Sequence, residues 1–117
     1  MVSDNDKDKI ENIIKDRKYA HAFFNKHSDV YQSFVQMEEK AFEDGEISKG
    51  QKELIAIGIS IVINCESCLE WHIKQALDAG LTKNQIIEAI GVGIEMGGGP
   101  ATVSSRFALK VLEYHTA

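Results

Sequence analysis

The spacing of apolar residues in the first part of the chain predicts two amphipathic helices. From Ile10 onward apolar side chains recur every three or four residues, which is the repeat of one helical face, and the pattern breaks near Arg17. A second apolar stripe covers residues 30–42 and follows Ser28, a residue type that caps helix N-termini. The Asp-Gly pair at 44–45 signals a turn, so we expect the second helix to end there.

The segment 54–63 is ambiguous when its pattern is considered alone. Isoleucine alternates there with alanine, glycine, serine and valine, which is the period of a β-strand. A fully buried helix has the same appearance, and Ser48 is well placed to cap a helix that begins before this segment. The apolar run is about half as long as a bilayer-spanning helix requires, so no membrane segment is predicted.

Three further helices are predicted in the remainder of the chain. We expect Asn64 to cap the first of them, whose apolar stripe ends at Gly80, a residue suited to a helix C-terminus. Thr82 and Gln85 have the spacing of a capping box for the second. A run of three glycines ends that helix, and Pro100 fits the first turn of the last one.

Composition and charge narrow the class of protein. The 117 residues are 44% hydrophobic and 26% charged, which is typical of a single globular domain covering residues 1–117. The net charge of −5 disfavours nucleic-acid binding, because phosphate recognition needs a basic surface. Residues 1–9 alternate acids with lysines, lack a hydrophobic signal region and are expected to fray. We therefore expect a cytoplasmic protein, in which thiols stay reduced.

The chemistry of the chain is concentrated in a C-x-x-C motif, Cys65 to Cys68, at a predicted helix start. His72 lies four residues after Cys68, so the imidazole and both sulfurs share one helical face. A thiol reacts as its thiolate, which is favoured at a helix N-terminus or beside a basic group. Two cysteines one turn apart can close a disulfide, so that one attacks and the other resolves. A histidine within reach can take up the proton.

Glu53 joins this group on geometric grounds if residues 49–63 form a helix that reverses at Asn64. At a rise of about 1.5 Å per residue, the position level with Glu53 on the antiparallel helix is near Gln75, about one turn from His72. A carboxylate at that height would orient or polarise the imidazole, as in a catalytic triad.

Less specific interpretations of these residues also have to be considered. Cysteine and histidine can fill an apolar stripe without any reactivity. Cys65, Cys68, His72 and Glu53 also supply four possible zinc ligands, although structural zinc sites more often pair two C-x-x-C knuckles and this chain has one. The remaining histidines have no partners in the sequence and are expected to be solvated: His21, His27 and His115.

Together these residues resemble the alkylhydroperoxidase-D-like branch of the carboxymuconolactone decarboxylase family. The resemblance covers about residues 28–113 and is most specific over 49–93, where the twelve-residue gap from Glu53 to Cys65, the C-x-x-C and His72 match together. It implies an all-α domain of about six helices, with 54–63 helical and the C-x-x-C at a helix N-terminus. It also implies a homo-oligomer, a trimer or a hexamer.

The same resemblance implies a thiol peroxidase that reduces a small hydroperoxide and is restored by an external dithiol. Carried over by position, Cys68 would attack the peroxide, Cys65 would resolve the intermediate, and His72 with Glu53 would relay protons. One departure is Ser67, where the best-studied type in the family has a histidine. Because of that difference, the efficiency of peroxide reduction, the substrate and the reductant need not match those of that type.

Other functions stay open at this level. The decarboxylase branch lacks the cysteine pair, which disfavours lactone decarboxylation. A strand followed by C-x-x-C at a helix start would indicate a thioredoxin-like disulfide exchanger, although no other convincing strand is present in the sequence. A zinc-stabilised or inert oligomeric module is the non-enzymatic alternative. The sequence has no dinucleotide fingerprint and no phosphate loop, so no cofactor is predicted.

Overall fold

Six α-helices account for most of the chain. The computed structural model describes residues 2–117, and its helices are α1 (Asp4–His27), α2 (Asp29–Ala41), α3 (Lys49–Ile63), α4 (Glu66–Asp78), α5 (Lys83–Gly97) and α6 (Gly99–Thr116). No strand occurs within the described residues, which confirms the all-α prediction. The ambiguous segment 54–63 is helical, as the family resemblance implied.

Several helices begin where the sequence predicted a cap. Ser28 accepts a hydrogen bond from the first turn of α2. Ser48 with Gln51 and Thr82 with Gln85 form reciprocal capping boxes at α3 and α5. These side chains satisfy backbone N–H groups that have no partner within the helix, so the local sequence fixes these helix starts.

The first helix differs from the prediction in two respects. It runs unbroken through Arg17, because its later part lies away from the core and its apolar residues need not keep one face: Tyr19 is 80% exposed. It also begins at Asp4, within the segment expected to fray, because Ser3 and Asp6 form a capping box. Residue 1, also expected to fray, lies outside the described residues.

The junction between α3 and α4 differs from the prediction by one residue. Asn64 does not cap α4 but ends α3 in the left-handed conformation, with φ 54° and ψ 49°. Asparagine tolerates that conformation better than most residues. The N-cap of α4 is Cys65 instead.

The core is built around α3, which packs against α4, α5 and α6. Its inner face carries Ile57 and Ile61, both fully buried, and α4 contributes Leu69 and Ile73. At Gly93 of α5 a Cβ atom would lie 2.8 Å from the backbone oxygen of Gly58, so the close approach of α3 and α5 requires glycine there. This packing sets α3 and α4 side by side and fixes which of their residues meet.

The second helix lies outside this core. Its backbone neighbours belong to α1, and within the described residues none of its side chains is buried. Part of its predicted apolar stripe faces outward, with Val30 82%, Phe34 53% and Met37 59% exposed. None of the helices in residues 2–117 is long and apolar enough to cross a membrane.

Candidate active site

The two cysteines occupy the first turn of α4 and are joined by a disulfide. Cys65 is the N-cap, and its sulfur accepts a hydrogen bond from the backbone N–H of Cys68 at 3.2 Å. Both side chains are partly accessible. In the reduced protein this N–H, together with the positive end of the helix dipole, would stabilise a thiolate on Cys65.

The structure brings Glu53 and His72 together across the α3–α4 contact. Nδ1 of His72 lies 2.7 Å from Oε1 of Glu53. Only 2% of the Glu53 side chain and 14% of the His72 side chain are exposed. With Nδ1–H donating to the carboxylate, Nε2 is the ring nitrogen that can accept a proton.

His72 lies one helical turn after Cys68 on the same helix. Within residues 2–117 no hydrogen bond joins its ring to either sulfur in this disulfide form. The four predicted site residues thus form two bonded pairs, a disulfide at the start of α4 and a carboxylate–imidazole pair between α3 and α4.

Two further residues complete the surroundings of His72, and the sequence analysis missed both. Nζ of Lys49 lies 2.7 Å from Oε2 of Glu53, so both carboxylate oxygens have a partner. The ring of Phe42 stacks on the imidazole at 5.3 Å between centroids, with 25° between the planes. The i,i+4 spacing of Lys49 and Glu53 was a usable sequence signal, whereas nothing in the sequence marks Phe42.

The charge on Glu53 follows from these contacts. Burial raises the pKa of a carboxyl group, but the hydrogen bonds from His72 and Lys49 outweigh it and hold the pKa of Glu53 below its usual value. Glu53 is therefore a carboxylate at neutral pH. A cleft of about 410 Å³ opens on this side of the pair, and its lining includes Glu53, Lys49, Phe42 and Trp71.

A second buried carboxylate–histidine pair joins α4 to α6. Oε2 of Glu70 is 2.6 Å from Nε2 of His115 on α6, and Oε1 accepts from the guanidinium of Arg17 on α1. The expectation that His115 is solvated is wrong, since only 9% of its side chain is exposed. The pKa of Glu70 is lowered, because the bonds from His115 and Arg17 outweigh the effect of burial.

The structure also bears on the alternative interpretations. A thioredoxin-like arrangement needs a strand before the C-x-x-C, and that segment is helix α3. Across the described residues no three His, Cys, Asp or Glu side chains are grouped as a metal ion would require. The four proposed zinc ligands are instead bonded in pairs.

Comparison with known proteins identifies the family of the chain. The model of the carboxymuconolactone decarboxylase family matches residues 28–111, which include Glu53, Cys65, Cys68 and His72. "Uncharacterized protein 4 in cox locus" of Paracoccus denitrificans is 40% identical over 81 residues, 69% of this chain and 73% of that protein. The alkyl hydroperoxide reductase AhpD of Corynebacterium kroppenstedtii is 35% identical over 52 residues, which span 44% of this chain and 30% of the reductase.

A solved structure extends the similarity to almost the whole fold. A carboxymuconolactone decarboxylase family protein from Legionella pneumophila superposes with a TM-score of 0.88 at 29% sequence identity. The superposition covers 94% of this chain and 99% of that one. The family resemblance carried by Glu53, the C-x-x-C and His72 is thus confirmed, and the chain belongs to the carboxymuconolactone decarboxylase family.

Proposed function

We propose that this protein is a thiol-dependent peroxidase, which reduces small hydroperoxides with its cysteine pair and is restored by an external dithiol. The observation that carries the proposal is the buried Glu53–His72 pair, one helical turn behind the cysteines. A purely structural disulfide needs no proton acceptor beside it, whereas thiol chemistry does. The similarity to a protein named alkyl hydroperoxide reductase adds support.

The first step is the attack of Cys68 on the peroxide. His72 accepts the thiol proton at Nε2 while Glu53 holds Nδ1. The Cys68 thiolate then attacks one peroxide oxygen, so that the O–O bond breaks and the sulfur becomes a sulfenic acid. The departing alkoxide takes the proton back from His72 and leaves as an alcohol.

The second step closes the disulfide. Cys65 attacks the sulfur of the Cys68 sulfenic acid as a thiolate, which the Cys68 N–H stabilises. An S–S bond forms, and the hydroxide released takes up the thiol proton to become water. In total the two thiols give two electrons to the peroxide, and an external dithiol returns them by thiol–disulfide exchange.

The test is peroxide consumption in the presence of a dithiol, with single-cysteine variants. We expect Cys68→Ser to abolish turnover. Cys65→Ser should consume one equivalent of peroxide and leave a sulfenic acid on Cys68 that a dimedone-type reagent traps. The exposed His21, far from the cysteines in sequence and bonded to Tyr31, provides a control variant, His21→Gln, that should retain full activity.

Two outcomes would contradict the proposal. A peroxide-dependent sulfenic acid on Cys65 of Cys68→Ser, formed at the wild-type rate, would reverse the roles of the cysteines. Absence of peroxide turnover in the wild type, together with rapid exchange between its disulfide and protein thiols, would instead favour a disulfide exchanger.

We also propose that the functional unit is a homo-oligomer, a trimer or a hexamer. Its support is an apolar stripe on the outer face of α3, where Ile55 is 53%, Ile59 56% and Ile63 63% exposed. Contiguous exposed apolar surface usually marks an interface.

A further inference from the structure

Arg17 of α1 reaches the turn that carries the cysteines. Its Nη1 lies 3.2 Å from the backbone oxygen of Ser67 and 3.5 Å from its hydroxyl, while Nη2 bonds to Glu70. The guanidinium also lies 5.1 Å from the ring centre of Trp71. One side chain from another helix thus contacts three residues of α4, one of them between the two cysteines.

The position of Arg17 is fixed by a buried carboxylate. The Glu70 carboxylate that holds it is 2% exposed and is itself bonded to His115 of α6. A planar guanidinium with several fixed donors can serve the Ser67 carbonyl and the Glu70 carboxylate at once, which a lysine ammonium cannot do with the same geometry.

The contact with Ser67 leads directly to a sulfur atom. The carbonyl of Ser67 and the N–H of Cys68 belong to one peptide unit, and that N–H donates to the Cys65 sulfur at 3.2 Å. A cationic donor on the carbonyl polarises the peptide and strengthens the N–H as a donor, because linked hydrogen bonds reinforce one another. It also adds positive charge at the end of the helix where a thiolate would form.

We propose that Arg17 is a positioning residue for the cysteine pair, which acts through the Ser67–Cys68 peptide to stabilise the Cys65 thiolate and thereby favours the reduced pair over the disulfide. This inference rests on the proposed function only in requiring a pair that cycles between disulfide and dithiol. In that cycle Arg17 makes Cys65 a better resolving thiolate. It also makes the disulfide easier for an external dithiol to reduce.

The structure offers two matched controls. Lys9, also on α1, bonds to the other residue between the cysteines, Glu66, at 2.8 Å, but that pair is about half exposed and joins two side chains, not the backbone of the motif. His115 is the other partner of Glu70 and does not contact Ser67. Like Arg17→Gln, His115→Gln removes one buried partner of Glu70, but it leaves the hydrogen bond to the Ser67–Cys68 peptide in place.

The experiment equilibrates each purified protein with dithiothreitol buffers of graded ratio, then counts free thiols by alkylation and mass spectrometry. We expect Arg17→Gln to shift the equilibrium toward the disulfide by about tenfold, equivalent to about 30 mV. The pKa of the Cys65 thiol, from the pH dependence of alkylation, should rise in parallel. Lys9→Gln and His115→Gln should stay within about twofold of the wild type.

A second variant covers the case in which Arg17→Gln fails to fold, as judged by circular dichroism. Arg17→Lys keeps the positive charge but not the fork, and should shift the equilibrium in the same direction by about threefold or more. A shift of less than twofold in the folded variants would overturn the inference, as would an equal shift in His115→Gln. These measurements need no peroxide, so their result does not depend on whether the protein proves to be a peroxidase.

Discussion

At the scale of single residues, two buried carboxylates, one on α3 and one on α4, have similar partners. Glu53 bonds to His72 and Lys49, and Glu70 bonds to His115 and Arg17. Both groups are satisfied in the same way, with one imidazole and one basic side chain. They differ in what lies beyond the imidazole, since His72 has the cysteine-bearing turn on its own helix whereas His115 is near the end of α6.

Replacing either Glu53 or His72 with glutamine should slow peroxide reduction without unfolding the protein. Glu53→Gln removes the anion that holds Nδ1–H of His72, and His72→Gln removes the proton acceptor itself. We expect the rate to fall by about 10²–10⁴-fold, which is typical for loss of a general base. Stopped-flow measurement of a single turnover reports this step directly.

The control for this prediction is the second pair. Glu70→Gln makes the same change in charge at a similarly buried carboxylate. It should retain a rate of peroxide attack within about tenfold of the wild type, because Arg17, which Glu70 holds, acts on Cys65 and not on the attacking Cys68. Equal losses of rate in Glu70→Gln and Glu53→Gln would show that a general loosening of α4, and not a proton relay, causes the effect.

The buried carboxylates should also make the stability depend on pH. Because the folded-state pKa values of Glu53 and Glu70 lie below the ordinary value of 4.5, their contribution is fully present above that pH. It is lost as the pH falls through the folded values and the carboxylates take up protons. Urea unfolding at pH 7, 5 and 3.5 should therefore show the free energy of unfolding declining in the acid range.

The variant Glu70→Gln tests whether Glu70 contributes to this loss of stability in acid. Glu70→Gln should be less stable at neutral pH and should lose less free energy on acidification than the wild type. Glu66→Gln, which removes a partly exposed surface ion pair with Lys9, should follow the wild-type curve closely. Parallel curves for Glu70→Gln and the wild type would contradict the assignment.

These residues also show how far the sequence could predict the site. Glu53 could be matched with His72 because only the helical rise and one reversal were needed. Arg17, Glu70 and His115 lie 53 and 45 residues apart on three helices, so their meeting depends on packing that no local spacing encodes. An acid among the apolar residues of α4 was the single available sign that Glu70 needed buried partners.

At the scale of secondary-structure elements, the structure of α3 explains why the sequence of residues 54–63 resembles a strand. Isoleucines at every second position resemble a strand, but in the helix they separate into two i,i+4 stripes. Ile57 and Ile61 face the core and are fully buried, whereas Ile55 and Ile59 are more than half exposed. Periodicity alone could not distinguish a strand with one buried face from a helix with two apolar faces.

The contact between α3 and α5 gives a prediction for this scale. In Gly93→Ala the new Cβ would lie 2.8 Å from the Gly58 oxygen and 2.8 Å from the Ile61 Cβ, so the helices must separate. We expect a loss of about 1–3 kcal/mol in the free energy of unfolding, as for other overpacked cores. Thermal or urea unfolding provides the measurement.

Gly91, two residues earlier on the same helix, is the matched control. No atom lies within 4 Å of a Cβ built there. Gly91→Ala should therefore be stabilising by about 0.5–1 kcal/mol, since alanine is the better helix former. Equal stability of the two variants would mean that α3 and α5 are not packed as closely as described.

At the scale of the whole molecule, the fold of residues 2–117 leaves apolar side chains exposed on several helices. Two such surfaces are the stripe of α2 that includes Val30, Phe34 and Met37, and the outer stripe of α3 that includes Ile55 and Ile59. Neither is explained by the core of the described chain, which is closed by α3 to α6 and the early part of α1.

We therefore expect the protein to be a trimer or hexamer in solution at micromolar concentration, with the outer stripe of α3 in its interface. Ile59→Asp places a charge on a side chain that is 56% exposed in the protomer. It should leave the protomer folded while dissociating the assembly, because burying an unpaired carboxylate in an interface is costly. Asn12→Asp adds the same charge on the exposed surface of α1 and should leave the mass of the assembly unchanged. Sedimentation velocity separates the outcomes, and a wild-type protein that sediments as a stable monomer at these concentrations would overturn the prediction.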